Sequence, residues 1–206
     1  MEIEIQIQNV SLKGVLEIPD KGNSLVIFTH GSGSDGDSKR NSLVADELQK
    51  LGIGTLLFDL LTKEESDEAK NRSDVELLTE RLIAVTKWCL EHETTKNLGI
   101  GYYGVGTGSA AALSSAAFWG TKIKAVVTRG GRPDLAMEVL DLIESPTLLI
   151  VGGEDKPAIN INRKAFQKIG CVKKMETIAG ATRFFEEPEA MEKVVEISTM
   201  WFVKYL

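Results

Sequence analysis

Apolar and polar residues alternate along Glu2–Gln8 and again along Ser11–Ile18. That pattern predicts two strands, each with one wet face, turned back on themselves near Asn9 as an antiparallel pair. After the turn cluster Pro19–Asn23 the pattern changes. Leu25–Thr29, Ile53–Asp59, Ile123–Thr128 and Thr147–Val151 are short continuous apolar runs, as strands covered on both faces require. Helical spacing fills the gaps between them. Leu43, Val44, Ala45, Leu48 and Leu51 predict a helix of about three turns, starting several residues after Gly36 and ending near Gly52. Val75, Leu78, Leu82, Val85 and Cys89 predict a long amphipathic helix over Asp74–Glu91. The charged stretch Thr62–Arg72 reads as a loop. After the closing stretch Arg129–Asp134 a short helix is expected to about Leu142, then another over Ala158–Ile169, a last strand over Lys173–Ile178, and a closing helix over Pro188–Tyr205. Met191, Val194, Val195, Met200, Trp201 and Val203 are the closing helix's core candidates.

The stretch Leu98–Leu113 stands apart. It is an apolar run, then a glycine-rich corner, then an alanine-rich run ending near Trp119, which reads as a strand, a very tight turn and a helix packed close behind it. Two hairpin strands followed by five or six buried strands alternating with helices imply one mostly parallel α/β sheet with helices on both faces. The expectation is a single domain over residues 1–206 with no separate lid domain. In such sheets the ligand site lies outside the carboxyl ends of the strands. Four loops fall there: Gly31–Gly36, Gly104–Gly108, Gly152–Asp155 and Gly180–Glu187.

Composition narrows the function classes. The 206 residues are 43% hydrophobic and 26% charged, ordinary for a soluble globular chain. A net charge of −6 argues against a general attraction to nucleic acid or anionic membrane. No apolar run approaches the roughly 20 residues of a membrane helix. The alternating N-terminus has no signal-peptide pattern, so a cytoplasmic address is expected. Cys89 and Cys171 lack metal-type spacing and read as buried or half-buried thiols. No metal and no cofactor is expected, and the expected partner is a small molecule.

The four loops carry a resemblance. His30-Gly31-Ser32-Gly33-Ser34, the corner Gly104-Val105-Gly106-Thr107-Gly108, Gly152-Gly153-Glu154-Asp155 and Gly180–Pro188 occur in the order and positions of the dienelactone hydrolase branch of the α/β-hydrolases, and strand and helix order agree along the whole chain. The resemblance implies the α/β-hydrolase fold and ester or lactone hydrolysis by a serine, aspartate and histidine in that chain order. Carried over by position, the serine falls on Gly106, the acid on Asp155 and the histidine on Arg183. Glycine offers no nucleophile. Arginine stays protonated and cannot act as a general base. The implied oxyanion hole uses backbone N–H groups of Ser32, Gly33 and Thr107, which need no serine side chain. With Arg183 beside it, and His30, Arg40 and Arg132 as bordering candidates, the expected pocket suits an anion or carboxylate.

Each residue has a plainer reading. Arg40 and Arg132 could equally face solvent. Thr107 and Ser109 are tempting replacement nucleophiles, but residues that open a helix more often cap it or point elsewhere. Asp155 either pairs with Arg183 as a triad acid left without its partners or simply ends its strand. At Gly106, glycine relieves the positive-φ strain that such a corner imposes. A drifted homologue and a deliberate knockout would leave the same trace. The expectation is a protein of this fold without serine hydrolysis. One alternative is an active carboxylesterase or lactone hydrolase with an unconventional nucleophile. Another is a dinucleotide-binding protein, because Gly31–Gly36 spells G-x-G-x-x-G after a strand and Asp59 ends the next. A preceding hairpin and a helix starting only after Gly36 weigh against that last reading.

Overall fold

The computed structural model describes residues 1–7, 9–20, 22–30 and 35–206, with residues 30 and 35–38 described by their backbone only. The hairpin is β1 (Glu2–Ile7) and β2 (Val10–Glu17), paired antiparallel. Then come β3 (Ser24–His30), α1 (Asp35–Lys50), β4 (Gly54–Phe58), α2 (Lys63–Asp67), α3 (Ala69–Arg72), α4 (Val75–Glu91), β5 (Gly99–Val105) and α5 (Thr107–Trp119). The chain continues through β6 (Ile123–Arg129), a 3-10 helix over Pro133–Leu142, β7 (Thr147–Gly152), α6 (Lys156–Lys168), β8 (Lys173–Ile178) and α7 (Ala190–Tyr205). The eight strands form one sheet in the order β1-β2-β4-β3-β5-β6-β7-β8. β2 meets β4 antiparallel, and every pairing from β4 to β8 is parallel. This is the α/β-hydrolase arrangement expected from the sequence, with its antiparallel hairpin at one edge.

Two apolar layers flank the sheet. On one face Leu78, Leu82 and Val85 of α4, Ala110–Leu113 of α5 and Ala165 of α6 pack on Ile27, Leu56, Tyr102 and Leu149. On the other, Val44, Ala45 and Leu48 of α1 and Val194, Trp201 and Phe202 of α7 pack on Val26, Phe28, Tyr103 and Ile150. The continuous apolar runs are buried because helices cover both faces, whereas β8, the far edge strand, is mostly half-buried.

Four local expectations need correction. The helix after the first glycine loop begins at Asp35, within that loop, because one glycine costs a helix only about 1 kcal/mol and sixteen residues of packing outweigh it. Thr62–Arg72 is helical, not a loop. Thr62 and Glu65 form a reciprocal capping box that starts α2, and Glu65 also pairs with Arg81 of α4 at 2.7 Å. On α1 the inward stripe is Asn41, Val44, Ala45 and Leu48, and Leu43 and Leu51 face outward. On α7 it is Ala190, Val194, Ser198, Trp201 and Phe202, leaving Met200 and Val203 exposed. In both helices a residue next to the buried stripe lies a full helical step of about 100° off it.

The central packing contact is between β5 and α5. A Cβ on Gly104 would stand 2.6 Å from Ser109 Cα and 3.1 Å from Ala112 Cβ. Only glycine lets the helix sit this close to its own strand. Gly104→Ala is expected to destabilise the chain by about 1–3 kcal/mol in urea denaturation, the usual range for an overpacked core position. An unchanged midpoint would show that α5 can back away from the sheet without loss.

Candidate functional site

Strand β5 turns into α5 through Gly106, whose backbone sits at φ 56°, ψ −125°. That is left-handed territory, where a side chain costs roughly 1–3 kcal/mol. Among the described residues space is not the constraint, since a Cβ there would meet none of them within 4 Å. Gly106 and Thr107 are half-buried at the carboxyl edge of the sheet. Thr107 opens α5, so its backbone N–H and the next one are among the first-turn donors that have no partner inside the helix. The helix dipole adds positive potential at the same spot.

The hydroxyls of Thr107 and Ser109, which follow Gly106 on α5, are already engaged. Thr107 Oγ1 donates to the Arg72 carbonyl at the end of α3, 3.0 Å away. Ser109 is fully buried. Its Oγ donates to the Gly106 carbonyl at 2.6 Å and accepts the Arg132 backbone N–H at 2.8 Å. The Arg132 N–H also reaches the Gly106 carbonyl at 3.2 Å. Ser109 therefore ties the β5–α5 corner to the loop after β6. Asn162 of α6 ties that loop from the far side, donating to the Gly131 carbonyl at 3.3 Å.

The neighbouring loops are stitched in the same way. Gly130 N–H donates to Ile150 O of β7, and Glu154 N–H to Ala181 O of the loop after β8. Asp155 ends the β7 loop half-buried, and its carboxylate accepts the Ala158 N–H at 3.1 Å as the N-cap of α6. Arg183 lies exposed in the loop after β8, with its guanidinium 4.7 Å from the centre of the Phe184 ring. No ion pair joins Asp155 to Arg183 among the described residues. The structure brings Gly106, Thr107, Asp155 and Arg183 to the same edge of the sheet, each at the carboxyl end of a parallel strand.

The other candidate cations have local partners. Arg132 grips Asp134 through two hydrogen bonds of 2.8 Å each. That grip holds the Asp134 carboxyl below its ordinary range and raises the Arg132 guanidinium. Arg40 reaches Glu186 at 3.2 Å. Ser32 and Gly33, and the side chain of His30, lie outside the described residues.

The sequence reading missed Arg129, the last residue of β6, which is among the largest fully buried side chains. Its partners include Asn41 of α1 at 3.4 Å and the Met191 sulfur of α7 at 3.3 Å, and its guanidinium lies 6.0 Å from the centre of the Phe185 ring. Phe185 is itself buried at φ 54°, an unusual conformation for an aromatic residue and one its burial holds in place. The signal was a charge closing an otherwise apolar strand, Val126-Val127-Thr128-Arg129.

No family model matches the chain. Among solved structures the backbone is similar to Est1E from Butyrivibrio proteoclasticus (TM-score 0.83, 16% identity, 98% of each chain) and to an α/β serine hydrolase homologue from Coxiella burnetii (TM-score 0.80, 17% identity, 97% of this chain and 96% of that one). Sheet order, the glycine corner and these likenesses define the fold of the α/β hydrolases. A dienelactone hydrolase from Anabaena variabilis is far nearer, with a TM-score of 0.96 and 42% identity over 100% of this chain and 97% of that one. The chain belongs to the dienelactone hydrolase family. Two Mycobacterium tuberculosis proteins, each named "Putative phosphoribosyl transferase", are 43% identical over 205 residues. The chain spans 46% of the length of these curated relatives. No helix among the described residues is long and apolar enough to cross a membrane.

Ser109→Ala removes the hydroxyl that bonds both the Gly106 carbonyl and the Arg132 N–H, and leaves only the longer 3.2 Å bond from the Arg132 N–H to the Gly106 carbonyl between the corner and the β6 loop. The expected loss of stability is about 1–3 kcal/mol. Amide exchange at Arg132 should speed up more than at the centre of β6, and equal protection in the variant would show that Ser109 is not the tie.

Proposed function

We propose that this chain is a dienelactone hydrolase-family protein that binds a small anionic ligand at the carboxyl edge of its sheet and does not hydrolyse esters by serine chemistry. One observation carries the reading: the corner that would present a nucleophile is Gly106, with no side chain, and the neighbouring hydroxyls of Thr107 and Ser109 are committed to Arg72, Gly106 and Arg132. The base position fails independently, because Arg183 cannot accept a proton. What remains suits an anion. The first-turn N–H groups of α5 and the exposed guanidinium of Arg183 offer donors and positive charge. Arg40 and Arg132 contribute little, since Glu186 and Asp134 already offset them. Asp155 keeps the chain position of the triad acid while capping α6, and one carboxylate oxygen can cap while the other faces the site.

The test is hydrolysis of activated aryl esters by the chain beside the double variant Gly106→Ser with Arg183→His. The parent is expected to show no turnover, no burst and no labelling by a fluorophosphonate. The variant is expected to fold, because no described residue crowds a side chain at residue 106, with a stability loss of about 1–3 kcal/mol from backbone strain. It is also expected to gain measurable turnover that a further Asp155→Asn change removes. Enzyme-like turnover by the parent, or labelling of Thr107 or Ser109, would establish the alternative of an unconventional nucleophile. The name of the mycobacterial relatives suggests phosphoribosyl transfer, and the glycine loop after β3 suggests a dinucleotide. The helix start at Asp35 no longer argues against the latter. Neither diphosphate release from a phosphoribosyl diphosphate nor NAD(H) binding in a titration is expected.

A further inference from the structure

Helices α1 and α7 lie side by side on one face of the sheet, and the seam between them is open. It forms a groove of about 870 Å³ whose apolar lining includes Leu43 of α1 and Met191, Val195 and Met200 of α7. Leu43 is 52% exposed and Met200 64% exposed, each on the outward side of its helix. The rest of the lining is acidic, with seven carboxylates against two cations. Both cations are taken: Arg40 pairs with Glu186, and Lys50 with Glu47. The lining thus carries five more carboxylates than cations, and one of the carboxylates, Glu196, is also paired with Lys193 at 2.7 Å. At one end Glu187 accepts the Thr182 N–H at 3.0 Å through Oε1, which fixes its carboxylate beside Glu186 and Glu189.

We propose that the groove docks a basic amphipathic helix of a partner protein. Apolar side chains of the incoming helix would lie between Leu43 and Met200, and its lysines or arginines would face Glu187, Glu189 and Glu192. This is the helix-in-groove mode, in which apolar anchors recur every three or four residues. The charge excludes two other occupants. A second copy of this chain would bring the same acidic rim against itself, and an anionic membrane would be repelled. The proposal is independent of the reading of the Gly106 edge.

The probe is a synthetic peptide with leucine on one helical face and lysine on the other, labelled for fluorescence anisotropy. Two peptides and three chain variants accompany it: a scrambled peptide of identical composition, an amphipathic peptide with glutamate in place of lysine, and the variants Leu43→Glu with Met200→Glu, Glu189→Lys with Glu192→Lys, and Phe118→Glu. In the first of these variants both substituted side chains are exposed, so it is expected to melt near the parent. The amphipathic basic peptide should bind at least about tenfold more tightly than the scrambled one. Leu43→Glu/Met200→Glu should weaken it about tenfold, as should Glu189→Lys/Glu192→Lys, while Phe118→Glu on α5 leaves it unchanged. The glutamate peptide should not bind. Equal binding of the scrambled peptide, or full binding to either groove variant, would overturn the proposal and leave only bulk charge attraction.

Discussion

Everything at the carboxyl edge of this sheet depends on how closely α5 approaches β5. Gly104 has no side chain, so the helix backbone at Ser109 can lie against the strand. The chain then has only one residue in which to reverse from strand to helix. That residue, Gly106, is forced to positive φ. The corner is thus a consequence of packing two residues away, and it holds whatever side chain residue 106 carries. The Ser109 hydroxyl fixes the corner to the loop after β6, and backbone bonds carry the connection on to the loops after β7 and β8.

A second organising contact sits on the opposite face. Arg129 is buried between α1, α7 and Phe185, and it reaches Asn41 and Met191 from the end of β6. A buried charge survives only when its surroundings supply partners, so its neighbours cannot move independently. It joins the middle of α1 to the start of α7, segments far apart in sequence. The two faces of the sheet therefore hold the candidate site from both sides, one through a serine hydroxyl and backbone carbonyls, the other through a guanidinium.

The fold was largely legible because its strands are continuous apolar runs and its helices have a 3.6-residue period. The glycine corner announced itself by composition. What the sequence could not show was three-dimensional commitment. Nothing in the letters says that Thr107 bonds Arg72, that Arg132 is held by Asp134, or that Arg129 is buried. Those facts depend on which loops meet, and the sheet order decides that. Met200 and Leu43 misled for the opposite reason. They sit next to true core positions on their helices, and composition alone cannot separate a stripe from its margin. The Thr62–Arg72 helices were hidden because a capping box, not an apolar stripe, starts α2.

The open space around residue 106 has an evolutionary consequence. Packing is indifferent to the side chain there, but the backbone is not, because glycine relaxes a conformation that strains every other residue. Selection for function and selection for foldedness therefore pull this one position in opposite directions. A lineage held to hydrolysis must tolerate the strain. Once that demand lifts, a single change to glycine raises stability, and the return step lowers it. The corner acts as a ratchet: a scaffold of this kind can leave its chemistry easily and regain it only against a stability gradient.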